Sequence, residues 1–436
     1  MNKADSQLLT RVGPGTPTGN LMREYWIPAV LSSELKPDGS PVRLLLLGEK
    51  LIAFRDSSGR AAILDHRCPH RCASLFFGRN EQNGIRCVYH GWKFDADGNC
   101  VDQANLPPHE QFKDKAKAKA YRTCERNGVV WTYMGAAKMP PPMPLLEAAL
   151  LPEAETRIVM VQRECNWLQA IEGEIDTSHF SFLHVGGVRP EDVQPDHPGR
   201  YNVLIRAPEF HVADTDWGTM YGAQRPVGDD IYWRVAHYLF PFWTMVPNGA
   251  FSEHIVARAW VPMDDTHTMF VHMSWTRNSV GMQKRADGTP IPGLQTVFDF
   301  VPNTTDWYGR WRLAANASND YMIDRDKQAT QSFTGIHGIH LQDQAITESM
   351  GPIVDHSWEN LAPSDLMIAR TRRRIAGAAR KFAKDGKPPP GANDPKLYLR
   401  ARSGDFFAPK DKDWRAAYED ELRRSANPTG QLQAAE

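Results

Sequence analysis

The segment CPHRCASLFFGRNEQNGIRCVYHGW, which begins at Cys68, constrains this chain more than any other. It sets Cys68 and His70 on one short stretch and Cys87 and His90 on the next, a Cys-x-His followed by a Cys-x-x-His. Two thiolates and two imidazoles at these spacings can close around one tetrahedral zinc. They can also hold a [2Fe–2S] cluster with the cysteines on one iron and the histidines on the other. Three details favour the cluster. A single residue separates Cys68 from His70, where zinc ligands are typically spaced by roughly two to four. Both histidines follow their cysteines on matching loops, so the loops can clamp a flat cluster with the imidazoles outward. The second loop continues through YHGWKF, whose glycine lets backbone N–H groups approach sulfur. Exchanging two thiolates for imidazoles raises the potential to about −150 to +300 mV, against about −400 mV for an all-cysteine cluster. Cys72 has the wrong spacing to join the set and reads as a free thiol; His66 reads as a turn residue.

Around this segment the chain has the texture of a small antiparallel β unit. VRLLLLGEK, LIAFRDSSGR and AAILDHR are short apolar runs between turn residues; a hairpin turn is expected at Asp97–Gly98 and a last strand in NGVVWTYMG. GPGTPTGN from Gly13 reads as a loop, and AAKMPPPMPLLEAALLPEAE as a proline-rich linker. Beyond the linker, Trp167, Leu168, Ile171 and Ile175 have helical spacing. YNVLIRAPEFHV, WGTMYGAQRP, IYWRVAHYLFPFWTMV, HIVARAWVPM and TMFVHMSWT alternate as strands do. Helices are expected over 334–350 and 364–385, the latter with a basic run read as a solvated face. The tail after Gly386 reads as a surface wrap or a fray. The expected architecture is α+β: a first unit over 1–155 and a second over 156–436. Near-equal basic and acidic totals, 51 and 52, argue against a nucleic-acid or anionic-membrane binder. No apolar run is long enough to span a bilayer, the N-terminus lacks a secretory signal, and six cysteines in 436 residues suit a reducing cytoplasm.

The second constellation lies in NWLQAIEGEIDTSHFSFLH: Asp176, His179 and His184. At about 100° per residue, five helical residues turn about 500° and leave the two imidazoles about 140° apart. A regular helix cannot aim both at one ion, so a break is expected between Phe180 and Leu183. Two histidines and one carboxylate on one face of an octahedral ferrous iron leave three adjacent positions open. The carboxylate must come from elsewhere, with Asp343, Glu348, Asp324 and Asp355 as candidates. Asp176, one turn before His179, is placed to fix the tautomer of that ring.

These segments resemble the oxygenase α component of Rieske non-haem iron ring-hydroxylating oxygenases, from about Leu8 to Arg372. LLTRVGPGTPTGNLMREYWIPA, VADTDWG and QDQAITESMGPIVDHSWENL resemble the phthalate-dioxygenase group, whose α subunits work without a β subunit. The resemblance implies an all-β Rieske domain followed by a helix-grip (SRPBCC, Bet v 1-like) catalytic domain with a curved antiparallel sheet. It implies Asp343 as third ligand to a mononuclear non-haem Fe(II). It implies that Asp176 reaches His90, or else His70, of a neighbouring subunit, hence a homotrimer or stacked trimers. It further implies a separate flavin/iron–sulfur reductase that oxidises NADH or NADPH, and a substrate that is an aromatic carboxylate or an aryl ether of one. The reaction would be cis-dihydroxylation with O2, or monooxygenation with O-demethylation. An anionic ring calls for an arginine in an apolar pocket. Arg206 and Arg234 are candidates, with Phe180, Phe182, Phe240 and Trp243 as candidate walls. An electron-transfer protein that uses only the cluster, and a zinc-stabilised binding protein, are the readings from other classes.

Overall fold

The computed structural model describes residues 1–279 and 281–430. The N-terminal strands form a six-stranded antiparallel sheet in the order Trp26–Leu31, Val129–Tyr133, Ala120–Arg126, Ala61–Asp65, Glu49–Arg55, Val42–Leu46. A smaller four-stranded sheet, Arg79–Asn80, Ile85–Arg86, Trp92–Phe94 and Cys100–Gln103, carries the second Cys–His loop. Its last hairpin turns at Asp95–Asn99, where Asp95 Oδ1 accepts from Asp97 and Asn99 N–H. Ile52, Phe54, Leu64, Leu75, Ile85 and Phe94 form a separate core behind both loops.

The second unit is an eight-stranded antiparallel sheet. Its order is Thr156–Arg163, Thr268–Trp275, Val256–Pro262, Trp243–Met245, Asp230–Leu239, Gly218–Val227 and Glu209–Asp214, with Gly404–Pro409 also paired to Asp230–Leu239. The helices Trp167–Ile175, Ile339–Ser349 and Leu366–Asp385 belong to this unit. One core runs through both units: Trp131 of the first sheet stacks on Trp243 of the second at 5.6 Å. No helix among the described residues is long and apolar enough to cross a membrane.

Several elements differ from the sequence reading. GPGTPTGN is a loop only to Thr16, whose hydroxyl accepts from Gly19 N–H and, with Pro17 in the first position, starts the helix Pro17–Arg23. YNVLIRAPEFHV is a short helix, Tyr201–Leu204, before its strand. The linker is packed down: Leu146, Ala148 and Ala149 are buried and Glu147 pairs with buried Arg402. As far as residue 430 the tail is ordered on the domain, and its last six residues lie outside the described ones. Gly404, Phe406 and Ala408 alternate inward, so a strand with period 2 joins the sheet, followed by the helix Trp414–Arg424. The basic helix is not simply a solvated face: Arg372 is buried between Glu172 and Glu359, 2.6 Å from each, while Arg370 and Arg374 meet Asp214. Glu172 sits on the helix that leads to His179, so this ion pair braces that helix from behind.

Candidate metal centres and cavity

The two Cys–His loops are built alike. In each, the cysteine N–H donates to the carbonyl five residues on: Cys68 to Ala73 and Cys87 to Trp92, both 2.8 Å. In each, the cysteine carbonyl accepts from the N–H four residues on, Cys72 at 2.8 Å and Gly91 at 2.9 Å. That fourth residue is left-handed in both loops, φ +58° at Cys72 and +76° at Gly91. Cys72 therefore fills a turn position, exposed and apart from the ligand set. Cys68 and Cys87 are buried; His70 and His90 are half-buried with ring centroids 4.5 Å apart, and Trp92 stacks on His70. Burial pushes the Cys68 thiol up to about 12, with Cys87 beside it, while the His70 and Arg71 N–H groups point at its sulfur. The His70 Nδ1 is buried without a hydrogen-bond partner. Buried thiols ionise beside a cation, and an orphaned imidazole nitrogen needs an acceptor for its lone pair or proton. These residues fit an iron–sulfur cluster.

The second centre begins where the helix Trp167–Ile175 stops. Asp176 is extended (φ −94°, ψ 106°), and its Oδ1 accepts from Ser178 N–H at 2.7 Å, a local bond that competes with the next helical turn. The break thus comes before His179 rather than between Phe180 and Leu183. A single 3₁₀ turn, His179–Ser181, follows, and Leu183 N–H closes back on the His179 carbonyl at 2.7 Å. The result swings both imidazoles together: His179 Nε2 and His184 Nε2 are 3.2 Å apart. Asp343 Oδ1, from the helix Ile339–Ser349, lies 3.0 Å from His184 Nε2 and 3.5 Å from His179 Nε2. Donors about 2.1 Å from one ion and at right angles are about 3 Å apart, so the three converge as one face of an octahedron would.

The rear nitrogens are held too. His179 Nδ1 is 3.5 Å from Asp176 Oδ2, and His184 Nδ1 is 2.7 Å from Gln342 Oε1. Burial alone would raise the Asp343 carboxyl, but His184 and His179 hold it well below the usual carboxylate range. Burial opposes charge on His179, yet Asp176 and Asp343 outweigh it and hold that imidazole above its ordinary value. Such a converging, polarised set fits a divalent ion. The other candidate acids lie elsewhere. Glu348 accepts from Glu164 N–H and Tyr321, Asp324 caps the helix Arg325–Thr330, and Asp355 caps Ser357. Glu172, His356 and Glu359 also come close enough to share an ion, but the Arg372 guanidinium occupies both carboxylates.

A cavity of about 490 Å³ opens beside Phe180, between the sheet, the helix Ile339–Ser349 and the irregular segment 281–298. A smaller hollow reaches His179, His184 and Asp343; the two share Phe180, Arg234, Arg258, Ile339 and His340. Arg234 is 3% exposed and lies 4.5 Å from the Phe180 ring centroid. It donates to Thr177 Oγ1 (2.9 Å), Asn202 Oδ1 (3.3 Å) and the Pro247 carbonyl (2.8 Å), all neutral. Neighbouring Arg225 is buried as well; burial first, then Arg234, lower it to about 10. Arg258, by contrast, is neutralised by Glu174 at 2.7 Å.

One candidate anchor and three candidate walls lie off both spaces. Arg206 is not in a strand: its guanidinium serves the carbonyls of Ser181, Val185 and Val188 in the irregular turn that follows His179. Phe182 is 52% exposed and off the cavity. Phe240 and Trp243 are fully buried in the continuous core, covered on both faces. Sequence reasoning missed Gln342, Glu174, Arg258, His272 and His340. Arg258 carried the signal that flagged Arg234, an arginine inside an apolar strand (HIVARAWVPM). Gln342 carried none.

Comparison with known proteins agrees with this geometry. Residues 25–119 match the Rieske [2Fe-2S] domain and residues 132–433 the LigXa C-terminal domain like family. The chain is 52% identical to the 3-chlorobenzoate-3,4-dioxygenase oxygenase subunit of Comamonas testosteroni, over 96% of this chain and 98% of that one. It is 36% identical to the phthalate 4,5-dioxygenase oxygenase subunit of Pseudomonas putida, over 94% and 93%. It is 31% identical to the 5,5'-dehydrodivanillate O-demethylase oxygenase subunit of a Sphingobium species, over 89% and 83%. In fold it is similar to dicamba monooxygenase bound to 3,6-dichlorosalicylic acid, with a TM-score of 0.55 at 18% identity over 84% of this chain and 99% of that one.

Proposed function

Because this chain belongs to the Rieske non-haem iron oxygenase α subunits, we propose that it cis-dihydroxylates an aromatic carboxylate, a benzoate- or phthalate-like acid. It is an oxygenase that takes a Rieske [2Fe–2S] cluster and a mononuclear non-haem iron. We assign Cys68, His70, Cys87 and His90 to the cluster, and His179, His184 and Asp343 to the mononuclear iron. Bound there, the two groups supply single electrons and a place where dioxygen is reduced beside substrate. The protein's own part is positioning. Asp176 and Gln342 accept the rear protons of the two imidazoles and leave both Nε2 lone pairs facing inward. Phe180 presents an aromatic face at the junction of the hollow and the cavity.

Arg234 is the observation that carries the substrate class. It is a buried cation on the wall common to both spaces, hydrogen-bonded only to neutral acceptors, and an anionic substrate compensates its charge. Oxygen uptake with a surrogate NADH-dependent flavin/iron–sulfur reductase tests this. In Arg234→Met, kcat/KM for a benzoate should fall about 10- to 100-fold, the worth of a charge-assisted hydrogen bond, and far less for a neutral ring analogue. Equal losses on both would contradict it.

The working unit in this reading is a homotrimer, single or stacked, in which Asp176 would also reach His90, or else His70, of a neighbouring subunit and bridge the electron's path between the two metal sites. Exposed apolar side chains support it: Phe77, Val88 and Tyr89 lie on or beside the cluster loops, and Phe182 lies between the two histidines of the second centre. Six free cysteines are consistent with a reducing cytoplasm. The two units are read as 1–155 and 156–436. A second reading, O-demethylation of an aryl ether, draws on the O-demethylase relative. Labelled dioxygen separates the two: a cis-diol carries both atoms, whereas demethylation releases formaldehyde.

A further inference from the structure

Gln342 is 1% exposed and precedes Asp343 on the helix Ile339–Ser349. Its side chain faces two ways. Oε1 meets His184 Nδ1 at 2.7 Å, while Nε2 donates to the Gly293 carbonyl at 3.2 Å and the Ile336 carbonyl at 3.0 Å. The two carbonyls fix the orientation of the amide, because both only accept and the nitrogen must face them. The oxygen is then left for His184, so Nδ1 carries the proton and Nε2 presents its lone pair to Asp343 and His179. The reversed amide would set two carbonyls against an oxygen and turn a protonated His184 Nε2 toward the site.

Gly293 belongs to segment 281–298, which supplies Met282, Leu294, Thr296 and Phe298 to the cavity. The approach is possible only at a glycine. Its φ is +87°, and a Cβ there would come 2.4 Å from Gln342 Nε2. The segment has a second tie to the same helix, Ile339 N–H to the Gln295 carbonyl at 3.1 Å. Ile291 and Leu294 pack on Val185 and Val188, just past His184.

We propose that Gln342 is a positioning residue that ties the metal ligand His184 to the 281–298 wall of the substrate cavity, so that metal ligation and closure of that wall reinforce each other. This rests on the reading of His179, His184 and Asp343 as one metal site. The coupling is reciprocal: what fixes the His184 ring through Nε2 also fixes Gln342, and through it the Gly293 carbonyl.

The test uses the full chain with its cluster intact and the mononuclear site stripped, with cobalt(II) as the probe. Metal affinity and amide hydrogen exchange over 281–298 are read together. In the unmodified protein, cobalt(II) should slow exchange in this segment several-fold. Gln342→Glu keeps an acceptor for His184 but loses both amide donors. Cobalt(II) affinity should stay within about threefold while the protection disappears. Gly293→Ala, which crowds only Nε2, should do the same, and it carries the test if the glutamate variant does not fold. Gln342→Met should weaken cobalt(II) about 10- to 100-fold, the usual cost of losing the partner behind a ligating histidine. Protection that survives in both Gln342→Glu and Gly293→Ala, or unchanged affinity in Gln342→Met, would overturn the proposal. Absence of protection in the unmodified protein while cobalt(II) binds would overturn it and leave the metal site standing. Failure of cobalt(II) to bind at all would remove the site itself.

Discussion

At the residue scale, function rests on which nitrogen of each ring is free. Both second-centre histidines are locked from behind, by Asp176 and by Gln342, but only the first was legible. An Asp three residues before a His is a local pattern, whereas Gln342 acts across 158 residues and leaves no local trace. The same holds for Arg206: an arginine in an apolar stretch looked like a substrate anchor, and the carbonyls that claim it belong to a turn that no spacing rule gives. Asp176→Asn should keep both metals and lose single-turnover oxidation of the reduced cluster; normal oxidation would count against an electron-bridging role. Cys72 offers a contrasting case. It takes the left-handed conformation that Gly91 takes in the sister loop, a state that costs a side-chain-bearing residue about 1 kcal/mol. Cys72→Gly should keep the cluster's visible spectrum and raise stability by up to about that amount in urea unfolding. Loss of the cluster would make Cys72 more than a turn residue.

Among elements, the longer helices were legible because their cores repeat every three to four residues: Trp167–Ile175 and Leu366–Asp385 lie where the pattern puts them, and Ile339–Ser349 lies inside the expected 334–350 but starts five residues later. What escaped was set by distant partners. Gly404–Pro409 is six residues long, and its alternation makes sense only against Asp230–Val235, which it joins in register. Arg402, just before it, seals the buried Glu147 of the linker. Truncation before Ala401 should therefore bare a sheet edge and strand a buried carboxylate, costing about 3–5 kcal/mol for the broken pair alone. The expected readout is aggregation or a sharply lowered midpoint in thermal unfolding. A truncated chain with the midpoint of the full one would show the tail to be dispensable.

For the whole molecule, acid should be destabilising in a defined window. Burial lowers His237 to about 3 and His254 to about 4, both below the ordinary 6.5. The unfolded chain takes up these protons first, so stability is present above pH 6.5. It is lost as pH falls toward 4, by up to about 1.4 kcal/mol per pH unit for each ring. Urea midpoints at pH 7 and pH 5 should differ accordingly; equal midpoints would contradict buried, neutral imidazoles. The central claim is that one chain carries two separate iron centres, a cluster in the first unit and a single ion in the second. Iron and acid-labile sulfide analysis of the purified protein and of His184→Ala tests it most directly. Three irons and two sulfides per chain are expected, falling to two irons with both sulfides retained in the variant. Three irons in His184→Ala, or only two in the unmodified protein after anaerobic loading with ferrous iron, would contradict the account.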